Sequence, residues 1–114
     1  MSTRLQAARS ATSHLSAEQL DRLHRLLVEE HVLQQARAVE LQDPLDLEPD
    51  LADVLLARCR EALGDIDEAM ALLGEGVYGS CSACGTAIPY ERLEAVPWAR
   101  RCVSCQAVHN RILR

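Results

Sequence analysis

Four of the five cysteines stand as two Cys-x-x-Cys pairs, Cys81/Cys84 and Cys102/Cys105, in the spacing C-x2-C-x17-C-x2-C. Thiolates in that pattern could bind a metal, cycle as a redox pair or close a disulfide. Each pair turns two sulfurs toward one point, and the intervening segment folds back to bring the second pair over the first. That arrangement suits Zn²⁺, which prefers four tetrahedral ligands and is closed and structural when all four are Cys. A catalytic zinc site would keep an open position and draw on His or carboxylate ligands, whereas this set is all sulfur. A thioredoxin-like site needs a βαβ context, which the surrounding residues do not supply. Reversible oxidation with zinc release remains the rival reading. Cys59 lies far from both pairs, on an apolar helical seam, and reads as a buried core thiol. The histidines His14, His24, His31 and His109 form no spaced ligand pair.

Composition restricts what can surround such a site. The chain has 114 residues, enough for one domain with a modest core. Aromatic residues are 3% and Phe is absent, which disfavours aromatic-rich sandwiches and barrels. Ala, Leu, Glu, Gln and Arg dominate, all strong helix formers. The formal net charge of −5 argues against broad non-specific binding to nucleic acid, which needs a basic footprint. No run approaches the ~20 apolar residues of a membrane span, and the N-terminus has no signal-peptide core. A cytoplasmic protein without membrane attachment is expected, where disulfides are uncommon.

The elements that must position the cysteines are helical. Residues 1–14 are small and polar and read as a mobile tail. Ser16 is a good N-cap, Gln19 completes a capping box, and Leu15 can staple against Leu20. Leu20, Leu23 and Leu27 recur at helical spacing, and Val32, Ala36 and Val39 continue the pattern on a face that drifts past Glu30, His31 and Gln34. Pro44 disfavours helix at Asp43, so the first helix should end near Gln42. A tight turn over residues 43–48 leads to a second helix, with Leu51, Leu55, Cys59, Ala62, Ile66, Ala69 and Leu73 close to a heptad seam. Gly74, Gly76 and Gly79 end it. After Cys102 a short terminal helix is expected, with Val103, Ala107 and Ile112 facing inward. The expected fold is mainly α: an antiparallel two-helix coiled-coil hairpin over 15–75, then a small four-cysteine zinc finger with a short C-terminal helix over 76–114.

Charge is unevenly placed. Between Arg37 and Arg58 stand Glu40, Asp43, Asp46, Glu48, Asp50 and Asp53 with no positive residue. Taken alone, such a run is a solvated turn beside a helix N-terminus, where acids are favoured anyway. A second string, Asp65, Asp67 and Glu68, reads as an exposed helix face. In the finger, Arg92, Arg100, Arg101, Arg111 and Arg114 outnumber Glu91 and Glu94.

The segment "GVYGSCSACGTAIPYERLEAVPWARRCVSCQ", residues 76–106, resembles the DksA/TraR-type zinc-finger regulators of bacterial RNA polymerase. The likeness rests on the Gly-x-Tyr-Gly lead-in, both Cys pairs, Ile88-Pro89, the run Glu91 to Ala95, Pro97, Ala99 and Gln106. The resemblance implies one structural Zn²⁺ and a transcription regulator that binds RNA polymerase through its secondary channel. It implies that the coiled-coil tip approaches the active site while the finger stays at the rim, with no direct sequence-specific DNA binding. Asp43 and Asp46 match the family tip motif Asp-x-x-Asp-x-Ala, but its Ala position is Glu48 here. Arg92, Arg100 and Arg101 are candidate rim contacts. Positions that are basic in ppGpp-responsive members fall at Val96, Gln106 and near Asp65, so the usual ppGpp site is expected to be missing. A zinc-dependent protein–protein adaptor and a thiol-based redox sensor are the alternatives. No nucleophile–base pair or phosphate-binding Gly loop is found, and no enzyme is expected.

Overall fold

The structure, a computed structural model, describes residues 14–112. The expected tail lies outside the described residues except for His14, whose Nε2 sits 2.8 Å from the Ile88 carbonyl oxygen. Four helices follow in order: α1 (Ala17–Gln42), α2 (Pro49–Glu75), α3 (Tyr90–Ala95) and α4 (Val103–Ile112). No strand occurs among the described residues, only an isolated antiparallel bridge between Ser80 and Ala87. Among the described residues no helix is long and apolar enough to cross a membrane.

Local chemistry sets the helix ends. The Ser16 hydroxyl accepts from the Gln19 backbone N–H at 3.0 Å, and the Gln19 side chain accepts from the Ser16 N–H at 2.9 Å. That is the reciprocal capping box. Leu15, before the cap, is buried with Leu20 packed against the same cluster. α1 stops at Gln42, and α2 begins with Pro49 at its first position, where a missing N–H costs nothing. α2 ends in a Schellman motif. Gly76 adopts φ 75°, its N–H reaches the Leu73 carbonyl, and the Val77 N–H reaches back to Leu72 at 3.0 Å.

α1 and α2 pack antiparallel, and their seam differs from the expected one in its middle. The buried face of α1 runs Leu23, Leu27, Ala38 and Leu41, not Val32, Ala36 and Val39. Val32 and Val39 are 59% and 67% exposed. The face therefore does not drift. It keeps its register straight through Glu30, His31 and Gln34, all half-buried. These polar groups satisfy one another or reach across: Gln34 donates to Glu30 at 2.9 Å, and His31 pairs with Asp67 of α2 at 3.1 Å. On α2 the seam starts one residue later than expected, with Ala52 buried and Leu51 exposed, and continues through Cys59, Ile66 and Ala69.

The core falls into two clusters. One lies at the finger end, where Leu23, Leu27, Ile66 and Ala69 meet Tyr78, Cys81, Ile88 and Leu93. The other is smaller and lies toward the turn, where Ala38, Leu41 and Cys59 pack with Leu55 and Leu56. Cys59 is thus the core thiol that its seam position indicates.

α4 corrects one expectation. Val103 and Ile112 are 65% and 75% exposed, and no residue of α4 is buried. Cys102 and Cys105 must face the other cysteine pair, so the helix presents Cys105, Gln106 and His109 inward, each half-buried. Val103 and Ala107 are rotated outward by the helical period.

Candidate metal centre and acidic tip

The loop after Gly76 forms the first half of a sulfur cage. The Cys81 N–H donates to the Thr86 carbonyl at 2.8 Å, and the Gly85 N–H returns to the Cys81 carbonyl at 2.9 Å. Gly85 takes φ 77°, a left-handed conformation that a side chain would strain, and this tight turn leaves Cys81 and Cys84 on one side. The second half arrives by way of Arg100, whose carbonyl accepts from the Ser82 N–H at 2.7 Å. Cys102 stands immediately before α4, and its carbonyl accepts from the Gln106 N–H at 2.9 Å. One helical turn places Cys105 beside Cys102.

All four sulfurs lie within 4.8 Å of one another, and Cys84 Sγ is 3.9 Å from Cys102 Sγ. A tetrahedral zinc with Zn–S bonds near 2.3 Å has S–S edges of about 3.8 Å. The donor set and its spacing therefore fit one Zn²⁺. The electrostatics agree. Burial pushes the Cys81 thiol up, but the backbone N–H groups of Cys102, Cys84 and Ala83 outweigh it and bring the group down to about 6. Cys105, beside the other three sulfurs, is pushed up to about 12. Thiols this close cannot all ionise without a cation among them. Zn²⁺ there supplies a structural crosslink between the two halves of the finger.

The residues between the pairs cover the hairpin base. Ile88 and Leu93 are fully buried against it. The Tyr78 hydroxyl donates to the Pro97 carbonyl at 2.7 Å, and burial raises its pKa.

Polar latches bind the finger to both helices. Arg22 of α1 donates to Glu94 of α3 at 2.9 Å, and Tyr90 donates to the same carboxylate at 3.0 Å. The hydrogen bonds from Arg22 and then Tyr90 hold the Glu94 carboxyl below its ordinary range. Arg100 spans Asp65 and Glu68 of α2 at 3.8 and 3.2 Å. Burial lifts the Asp65 carboxyl, outweighing the pull of Arg100. The string Asp65, Asp67 and Glu68 is therefore a receiving strip for Arg100 and His31 as well as a helix face. Sequence reasoning missed this pairing. The available signal was the i, i+3 spacing of Asp65 and Glu68, which puts two carboxylates on one side of a helix.

The other predicted residues lie where the chain order puts them. Asp43, Asp46 and Glu48 stand together on the turn between α1 and α2, and all are exposed. Leu45, in the same turn, is 93% exposed. From the 26 residues of α1 and a rise of about 1.5 Å per residue, this turn lies ~39 Å from the start of the hairpin. Of the three candidate rim arginines, Arg100 is engaged on α2, Arg101 is half-buried, and the Arg92 Nε is buried without a hydrogen-bond partner.

A helical hairpin capped by a four-sulfur finger defines a zinc-finger protein with a long two-helix probe. The sequence pattern of the prokaryotic dksA/traR C4-type zinc finger matches residues 76–111. The fold matches transcription factor DksA2 from Pseudomonas aeruginosa with a TM-score of 0.63 and 28% identity, over 93% of this chain and 98% of that one. General stress protein 16O of Bacillus subtilis (strain 168) is 50% identical over 48 residues, 42% of this chain and 29% of that protein. An uncharacterized protein of Haemophilus influenzae is 45% identical over 56 residues, 49% of this chain and 71% of that protein. The matches to the Bacillus protein and to an uncharacterized protein of Aquifex aeolicus span only 29% and 39% of those relatives. The chain belongs to the DksA/TraR C4 zinc-finger family.

Proposed function

We propose that this protein is a non-enzymatic transcription regulator that binds bacterial RNA polymerase through its secondary channel. The hairpin enters the channel, and Asp43, Asp46 and Glu48 approach the active site. The observation that carries this reading is the exposed acidic turn at the far end of the hairpin from the metal centre. Six carboxylates and no cation lie between Arg37 and Arg58. That field suits a partner site holding Mg²⁺ and basic side chains. The exposed Leu45, Leu51 and Val54 offer apolar contact along the same distal part. The fold shared with a transcription factor over nearly the whole chain supports the same class of function.

The finger's part is to aim the hairpin. Zinc holds its two halves together, and Arg22–Glu94 and Arg100–Glu68 tie it to α1 and α2 separately. The domain division follows: a hairpin over 15–75 that reaches, and a finger over 76–114 that anchors. Arg92 and Arg101 are the better rim contacts, because Arg100 is already paired on α2. The same pairing supports the absence of the usual ppGpp site. Val96 and Gln106 offer no cation, and Asp65 presents a carboxylate where a polyphosphate needs a donor.

The test is in vitro transcription with purified polymerase and the Asp43→Asn and Asp46→Asn variants, alongside direct binding. The expected result is retained binding, reduced by competition from another secondary-channel factor, with loss of the transcriptional effect. Full activity in both variants would overturn the acidic-tip mechanism. No binding to polymerase would overturn the partner and leave the adaptor reading.

A further inference from the structure

We propose that the polar layer at Glu30, His31 and Gln34 divides the hairpin into two cooperative units. The distal unit, with the acidic turn, opens while the base and the finger stay folded.

The inference starts from where the hairpin has no fully buried side chain. On α1 no residue between Leu27 and Ala38 is buried, and on α2 none between Cys59 and Ile66. The polar layer lies in that gap on the seam side of α1. Ala62 and Leu63 lie in the matching stretch of α2, each half-buried. Polar side chains on such a seam fix register and lower stability. Gly64 adds a weak helical position at the same level, with nothing within 4 Å of where its Cβ would stand.

The two sides of the layer are unequally held. The base has Leu23, Leu27 and Ile66 fully buried, with the finger's Ile88 and Leu93 over them. The distal cluster rests on Ala38, Leu41 and Cys59, flanked by Leu55 and Leu56. Smaller side chains bury less apolar area, and no third element covers this half among the described residues. Such a unit opens at lower free energy than the whole. The inference concerns the free protein, so it stands or falls independently of the polymerase reading.

Amide hydrogen exchange of the zinc-loaded full chain tests it. Protection over residues 36–58 is expected to be at least ~10-fold below that over 20–29 and 66–73. Gln34→Leu makes the layer apolar and should raise distal protection about ten-fold, leaving the base unchanged. Gln35→Leu makes the same change at an exposed neighbour and should leave the gap in place. Uniform protection along the hairpin would overturn the proposal. So would a Gln34→Leu variant that moves both halves equally or neither, or a Gln35→Leu variant that closes the gap as well.

Discussion

Removing the metal should unfold more than the finger. Ile88 and Leu93 come from the finger, yet they share one buried cluster with Leu23, Leu27 and Ile66 of the hairpin. Burying each such side chain is worth about 1.5–3 kcal/mol, so losing the two uncovers roughly 3–6 kcal/mol of apolar contact. Domains of this size have net stabilities of about 5–15 kcal/mol. The uncovered Leu23, Leu27 and Ile66 add to the deficit. Without the finger, the hairpin is left with one two-sided seam that already has a polar layer at its middle. Chelation with a strong zinc ligand, or Cys102→Ser, should therefore lower helical circular dichroism at 222 nm by far more than the six residues of α3 and ten of α4 can account for. Zinc release, followed with a chromophoric chelator, should track the loss of helix in one transition. Full retention of the hairpin signal after complete zinc removal would refute the argument, because it would show that α1 and α2 stand without their cover.

Three further outcomes are expected. Ser16→Ala removes the capping oxygen of α1 and should cost about 0.5–2 kcal/mol in denaturant unfolding. Gly76→Ala meets no neighbouring atom but forces φ 75° on a residue with a Cβ, and should cost about 1–2 kcal/mol by the same assay. Glu94 has a folded pKa below its unfolded one, so its contribution is full above the unfolded value and is lost as pH falls through the folded value. The stability difference between the wild type and Glu94→Gln should accordingly be largest near neutral pH and close in acid; a gap that widens in acid would reverse the sign assigned to the Arg22 contact.

Much of this was legible in sequence, and the reasons differ by element. The sulfur cluster was legible because metal coordination constrains residue type and spacing together, so four cysteines report one geometry. The ends of α1 and α2 were legible because Ser16, Gln19, Pro44, Pro49 and Gly76 act through local backbone chemistry. The middle of the seam was not. A periodicity search follows apolar residues, so it left the seam at Glu30 and went to Val32 and Val39, which are exposed. What fixes the face there is the packing of Ala38 and Leu41 on Cys59, a contact between helices that a single-helix pattern does not contain. α4 misled for a similar reason: two thiols that must reach the metal outrank the apolar pattern of Val103 and Ile112. Arg100 on Asp65 and Glu68 joins residues more than thirty positions apart, which no local rule reports.

The distribution of stability along the molecule follows from its shape. A probe only two helices thick has one internal seam, and every other face meets water, so its interior cannot grow with its length. The distal half accordingly keeps small side chains inside and leaves Val39, Leu45, Leu51 and Val54 outside. Stability must then come from one end, and the four-sulfur site supplies it with few residues, as small domains with modest cores require. The finger's Ile88 and Leu93 share the apolar cluster of the base, and two exposed ion pairs, on α1 and on α2, add smaller contacts to both helices. Beyond the polar layer no such support reaches. A base that is stiff and a distal half that is weakly held are therefore consequences of one design constraint: the reach that carries the acidic turn away from the finger also removes it from the element that stabilises the fold.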